Sequence, residues 1–410
     1  MGTSPTPIGS DSTIDAGLPQ TVEFDLARAR RETPGCELVT HFNNAAASLM
    51  PQPVLDAVIG HLTNESLMGA YEAAAKANVG AVCDSLANLI HAEPSEVALF
   101  DNSTRAWNTA FDLLTLRPGD RVVASRSEFV NGSLTLEHAA RQLGIEVEII
   151  PCDETGQLSA EALRELMDER VKLIAVTHIP TNGGLVNPVA EVGRVAKDWA
   201  VPYLLDASQS LGQYPLNVKE IECDFLSAPG RKYLRGPRGT GLLYVRSEIL
   251  EQLKVPTPTQ DAGTWLEDHR YVPYEGARRF EVGECYVAGR LGLGAAADYA
   301  LGWGIENIWG RVQFLANRLR SQLTSLPRIQ ARDLGIVKGG IVSFTHEYLA
   351  SDEVMRRFSR EKINVKVSPG RQSRYDMDAR GLDSVVRASV HYYNSESELD
   401  RFVELLAAME

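Results

Sequence analysis

The chain has 410 residues, of which 44% are hydrophobic and 23% charged, with a formal net charge of −13. That length supports a large core and two or three folding units, and the composition is that of an ordinary soluble globular protein. The acidic balance argues against non-specific binding to nucleic acid or anionic membrane. No apolar run is long enough to span a membrane. Five cysteines, Cys36, Cys83, Cys152, Cys223 and Cys285, lie far apart without a CxxC or Cys/His cluster. Their spacing offers no metal site, and the odd count fits reduced thiols in a cytoplasm.

Residues 1–22 are polar, lack an apolar signal core and are expected to be a flexible tail. A short helix is expected near Val22 to Arg31. The run ELVTHFNNAAASLMP then leads from a strand into small residues and Asn43–Asn44. These either let backbone approach a ligand or cap a helix N-terminus. Pro53 to His91 is expected to be mostly helical, in two amphipathic segments. The strand VALF ends in Asp101-Asn102-Ser103-Thr104, and a helix begins at about Arg105. Strand, polar turn and helix present backbone N–H groups and hydroxyls to a phosphate. An ordinary N-cap uses the same residues.

From Asp120 strands and helices alternate. RVVAS precedes Glu128-Phe129 and a helix to about Leu143. The strands VEIIP, KLIAVTHI and PYLLD follow, separated by helical stretches such as SAEALRELMDE and VAEVGRVAKDWA. This pattern predicts a parallel, doubly wound α/β sheet with its site at the strand C-terminal ends. Ser103-Thr104, Phe129, Thr181-Asn182 and Asp206 each follow such a strand, so they converge on one edge of one sheet.

The run SAPGRKYLRGPRGTGLLYV places Lys232 in a rigid loop rich in glycine, proline and arginine. Burial near other cations lowers a lysine pKa and makes the amine a nucleophile towards aldehydes. Asp206 lies 26 residues upstream, at the end of an apolar run. A lysine Schiff base and a carboxylate on the pyridinium nitrogen are what pyridoxal phosphate (PLP) chemistry requires. Taken singly, an Asp or a Lys is commonly solvated or structural.

Beyond Val245 the chain turns irregular. Its aromatic segment Trp265 to Tyr274 either shapes a pocket or packs a domain junction. RRFEVGECYVAGRLGLGAAADYALGWG leads into a long helix through about Leu326. From about Gln330 to Glu410, strands near GIVSF, NVKVS and VVRASV alternate with helices near SDEVMRRFSR and SESELDRFVELLAAM, an α+β pattern. The expected units are the tail 1–22, a segment 23–50 contributing to the site and the small domain, a large domain 51–295, and a small C-terminal domain 296–410.

DASQ, GRKYLRGPRGTG, RFEVG and VVRASVHYYNSESELD occur in an order that resembles the class V aminotransferase family of PLP enzymes. That family includes cysteine desulfurases and isopenicillin N epimerase-like proteins. The resemblance runs from about Asn43 to the C-terminus. It implies the type I fold: a mostly parallel, seven-stranded-type sheet flanked by helices, plus a smaller α+β domain. By position, it implies that Lys232 binds the cofactor and shuttles the substrate α-proton, and that Asp206 pairs with the pyridine nitrogen. Gln209, helped by Thr181, is expected to reach the phenolic oxygen, and Phe129 to stack on the ring. Ser103, Thr104, Arg105 and Arg231 are expected around the phosphate. Arg387 is expected to clamp the substrate α-carboxylate, with Asn43 and Asn44 beside the substrate. The resemblance further implies a homodimer with the active site at its interface and an amino-acid substrate, while cysteine usage, charge and the lack of a long apolar run point to a cytoplasmic location without a metal, nucleic acid or membrane partner.

The departures are informative. Desulfurases carry a mobile-loop cysteine shortly before the substrate arginine, but NVKVSPGRQSRYDMDARGLDSVVR has none. Glu284 stands where desulfurases have a threonine that reaches the partner's phosphate. The lysine loop and EVGE are more similar to carbon–sulfur lyases acting on cysteine S-conjugates and hercynylcysteine sulfoxide. The expected reaction is therefore β-elimination from a cysteine bearing a sulfur substituent, giving pyruvate and ammonia. Decarboxylative deamination, epimerisation, transamination and desulfuration share its first step. A non-catalytic PLP-fold binding protein is the alternative of another class.

Overall fold

The computed structural model describes residues 24–255, 257–260 and 262–409. The tail expected over 1–22, and the start of the helix expected from Val22, lie outside them. The helix itself covers Leu26–Arg31, with Asp25 accepting the Arg28 N–H at its start.

Among the described residues seven strands form the central sheet. They are β1 (Val97–Phe100), β2 (Arg121–Ser125), β3 (Glu146–Ile150), β4 (Val171–Thr177), β5 (Tyr203–Asp206), β6 (Phe225–Pro229) and β7 (Gly241–Val245). Their spatial order is β1-β7-β6-β5-β4-β2-β3. Strands β2 to β6 run parallel, and β7 runs antiparallel to β6 and β1. The alternation of side chains along each strand feeds two cores. Ile174, Leu205 and Leu226 join one, while Leu173, Leu204 and Phe225 join the other. Apolar residues are needed at both parities because helices cover both faces, which is why these strands read as continuous apolar runs.

Helix α1 (Gln52–Met68) packs against α4 (Val287–Trp303), while α2 (Ser103–Asp112) follows β1 and α3 (Val130–Leu143) follows β2. The structure corrects several boundaries. The two segments expected over 53–91 are three helices, because Gly69, at φ 97°, ends α1 before Ala70–Lys76 and Gly80–Ile90. The long helix expected through Leu326 is two: Gly304, at φ 78°, ends α4, and α5 (Ile305–Thr324) starts afresh. A left-handed residue breaks the i→i−4 ladder, and glycine adopts it without a Cβ penalty. Helix α2 begins at Ser103 rather than near Arg105, since Asn102 provides the cap.

A second, antiparallel sheet is built from β8 (Ile329–Ala331), β9 (Ile341–His346), β10 (Lys366–Pro369) and β11 (Ser384–Ser389), in the order β8-β9-β11-β10. The N-terminal segment crosses onto this unit. Thr40–His41 pairs in parallel with Ile363–Asn364, and Asn43 bridges to Ser389. The aromatic segment near Trp265 does not line the cavity described below. Gly263–Trp265 and Tyr271–Pro273 form a hairpin whose Trp265 is 76% exposed. Among the described residues no helix is long and apolar enough to cross a membrane, and no His/Cys/Asp/Glu group is arranged to hold a metal.

Candidate active site

The C-terminal ends of β1, β2, β4, β5 and β6 point to one cavity of about 180 Å³. Strand β5 ends on Asp206, which is buried and accepts the Ser208 N–H at 2.8 Å through Oδ1. Beyond β6 the chain makes a closed loop. The Gly230 N–H donates to Thr240 O, the Gly236 N–H to Gly230 O at 2.7 Å, and the Arg235 N–H to Lys232 O at 2.9 Å. Only glycine fits at position 230, because a Cβ there would lie 2.3 Å from Thr240 Oγ1. This loop carries Lys232 into the cavity, with its Nζ 5.9 Å from the Phe129 ring centre.

Arg235 holds the loop from behind. Although 1% exposed, it donates to Leu49 O at 2.9 Å, Tyr392 Oη at 2.5 Å and Thr33 Oγ1 at 2.6 Å. Its guanidinium lies over the rings of Tyr393, Tyr392 and Tyr299. Cation–π contact and charge-assisted bonds offset the desolvation of this buried cation. The lysine loop is thereby tied to both the N-terminal segment and the C-terminal unit.

Burial disfavours the Lys232 ammonium and brings its pKa down to about 7. The Asp206 carboxylate works against that shift, while Arg231 and Arg387 reinforce it. Burial likewise lowers Arg387 to about 10 and depresses Arg231. Four cations therefore line this cavity, Arg231, Lys232, Lys366 and Arg387, against one carboxylate, Asp206. Such a charge set favours an anionic ligand.

Ser103 and Thr104 line the cavity at the start of α2. Asn102 accepts the Arg105 N–H at 2.9 Å, and the first-turn amides have no intrahelical acceptors. An anion is favoured there by both the amides and the helix dipole. Arg231 lines the same cavity with its guanidinium donating to Ala46 O. Arg387, at the centre of β11, donates through Nη1 to both the carbonyl and the hydroxyl of Thr181, each at 2.7 Å. Its Nε is buried without a protein partner. Arg387 also lines the cavity, with Nη1 the nitrogen that has protein hydrogen bonds.

Other expected residues sit elsewhere. The Asn44 amide donates to Ser389 O at 2.7 Å and to His41 O, and its oxygen accepts from Tyr393 Oη. Asn44 is a buried tie between the N-terminal segment and β11, and Asn43 bridges to the same strand. Ala45 and Ala46 line the cavity in their place. The Arg105 side chain lines a separate cavity of about 360 Å³, shared with Glu284 and Cys285. Thr181 does line the cavity, with its carbonyl and hydroxyl accepting from Arg387. Gln209 donates to Ala45 O at 3.0 Å, and its Oε1 is buried without a protein partner.

Sequence reasoning missed Trp107, Gly132, Ser208, Lys366 and Gln372, all of which line the cavity. It also missed the role of Glu128, which is wholly buried. Its Oε1 accepts from Ser125 Oγ at 2.5 Å, and burial raises its pKa to about 8, with Asp206 adding to the rise. A carboxylate directly after an apolar strand, beside Phe129, was the available signal. Lys366 had none, since NVKVS reads as a strand with one exposed lysine.

The residues present fit PLP. The amine suits its aldehyde, Asp206 its ring nitrogen, Phe129 its ring face, and the α2 amides its phosphate. Comparison with known proteins agrees. The class V aminotransferase family model matches residues 40–402. A cysteine desulfurase of Haloferax volcanii is 29% identical, covering 95% of this chain and 94% of that protein. A probable cysteine desulfurase of Methanothermobacter thermautotrophicus is also 29% identical, over 92% and 96%. The apo structure of a cysteine desulfurase from Thermococcus onnurineus NA1 superposes with a TM-score of 0.84 at 27% identity, covering 93% and 97% of the two chains. The complex of the cystine C–S lyase C-DES with cysteine persulfide gives 0.83 at 22% identity over 92% and 99%, a likeness that shows the fold alone. The chain belongs to the class V aminotransferase family, adopts its type I fold, and is a PLP-dependent enzyme.

Proposed function

We propose that this enzyme is a carbon–sulfur lyase performing β-elimination on a cysteine that bears a sulfur substituent. The observation that carries the reading is the absence of a thiol from the site. None of the five cysteines lines the cavity, and residues 361–386, before Arg387, contain none. Bound in the cavity, PLP supplies an electron sink that makes the Cα–H bond of an amino acid acidic. Lys232, whose burial lowers its pKa to about 7, is the proposed base for that proton. Asp206 holds the ring nitrogen protonated. Arg387 fixes the α-carboxylate through its guanidinium and so orients Cα. Loss of the Cα proton and departure of sulfur with the Cβ–S pair, followed by addition of one water, yield a thiol or sulfenate, pyruvate and ammonia. Ser103, Thr104 and Arg231 are the proposed phosphate set, and Gln209 the neighbour of the phenolic oxygen.

The names of the relatives favour a second reading, cysteine desulfuration. That reaction passes sulfur to a protein thiol, and this cavity offers none of its own. Incubation of the PLP-loaded enzyme with cysteine and with S-substituted cysteines separates the two readings. Pyruvate from the S-substituted substrates supports the lyase. Alanine and persulfide from cysteine, without pyruvate, would overturn it.

A homodimer is part of this proposal. Leu67 and Tyr71 are each 78% exposed, and the Tyr71 hydroxyl reaches Glu284 at the second cavity. Tyr286 and Val282 extend the same apolar surface. Such a contiguous face is what a subunit interface covers. A stable, fully active monomer by light scattering would contradict it. The dispersed cysteines and acidic charge support a cytoplasmic location.

A further inference from the structure

Among the cations of the cavity, one has no ligand group assigned to it on the proposed reading. On the proposed reading, Lys232 meets the cofactor aldehyde, Arg231 and the α2 amides meet its phosphate, Asp206 meets its ring nitrogen, and Arg387 meets the α-carboxylate. Lys366 has no counterpart. It lines the same cavity on β10. Its backbone register places it directly opposite Arg387 on β11. Residues directly opposed across antiparallel strands project on one face, and like charges so placed are destabilising. Lys366 makes no ion pair with a described carboxylate. A lone lysine on an edge strand is ordinary where it faces bulk water. Here it stands at the mouth of a site, beside an arginine whose Nε is buried and unpartnered. Lys366 is exposed at the cavity mouth, and with the α-carboxylate taken by Arg387, a second anion on the substrate would be met by Lys366.

We infer that the natural substrate carries a second acidic group, a carboxylate on its sulfur-borne part, and that Lys366 selects for it. This rests on the amino-acid-lyase reading above. Both cations belong to one rigid strand pair, so the two carboxylates are read at a fixed separation. A neutral substituent gains nothing from Lys366 and leaves its charge uncompensated.

The test uses the PLP-loaded enzyme and two near-isosteric probes, S-carboxymethylcysteine and S-carbamoylmethylcysteine, which differ by one charge. Binding is read by isothermal titration and by the change in cofactor absorbance, and turnover separately by pyruvate. The acidic probe is expected to bind about tenfold more tightly, the scale of one charge-assisted hydrogen bond, with the preference shrinking as salt rises. Lys366→Met abolishes the preference, and Lys366→Arg retains it. Equal binding of the two probes to the wild type would overturn the inference, as would a preference that survives Lys366→Met. An acidic preference without pyruvate from either probe leaves Lys366 as the selector and removes β-elimination. Pyruvate from both probes with equal affinities does the reverse.

Discussion

Replacing Arg387 with lysine keeps the positive charge but removes the planar fork, and so separates charge from geometry. In the structure Nη1 is committed to Thr181 at 2.7 Å, and Nε is buried without a partner. On the proposed reading the substrate α-carboxylate meets the rest of the guanidinium through up to two parallel bonds. A lysine ammonium, shorter and drawn towards Thr181, supplies at most one. The loss is one charge-assisted hydrogen bond, about 1.5–3 kcal/mol. At 1.36 kcal/mol per decade this is about 10- to 150-fold in kcat/KM. The loss appears chiefly in KM, because the carboxylate is bound equally before and during proton removal. Pyruvate release from an S-substituted cysteine measures it. The matched control is an S-substituted cysteamine, which lacks the α-carboxylate, with binding read from cofactor absorbance. Its affinity is expected to be the same for wild type and variant. An unchanged KM in Arg387→Lys, or an equal loss for the carboxylate-free amine, would refute the assignment.

Lys232→Ala is expected to abolish the visible band of the lysine-bound cofactor and to lower turnover about a thousandfold or more; a variant with both intact places the nucleophile elsewhere. Glu128 carries a pKa raised from 4.5 to about 8 among Ser125, Thr177 and Asp206. The folded state thus holds its proton after the unfolded chain has lost it, so its contribution to stability falls as pH rises from about 4.5 to about 8. The Tm of wild-type apoprotein relative to Glu128→Gln should drop across that window, and a pH-independent difference would disprove a protonated Glu128. Arg235→Lys loses at least two of three buried bonds, a cost of about 3 kcal/mol or more. A Tm within one degree of wild type would show that this anchor is not structural.

The order of strands and helices was legible because period and length carry it. The apolar runs RVVAS, KLIAVT and YLLD read as buried parallel strands and are so, and Phe129, Thr181 and Asp206 lie at or just beyond their ends. Local chemistry also marked the lysine loop, since a side chain at 230 would run into the Thr240 hydroxyl ten residues on. The class V resemblance was legible for the same reason, as its motifs are short and contiguous. What sequence did not determine is which neighbours claim each polar group. Asn44 read as a ligand contact but is consumed by Ser389 and Tyr393, more than 340 residues away in the chain. Arg105 turned to another cavity because a helix rotates successive side chains by about 100°. Glu128 drew no role from the sequence, and its raised pKa follows from burial beside Ser125, Thr177 and Asp206. Lys366 became a candidate selector only through strand pairing, which places it opposite Arg387. Covalent neighbours set secondary structure and the strand-end positions; partners brought together by long-range packing set the charge balance of the cavity.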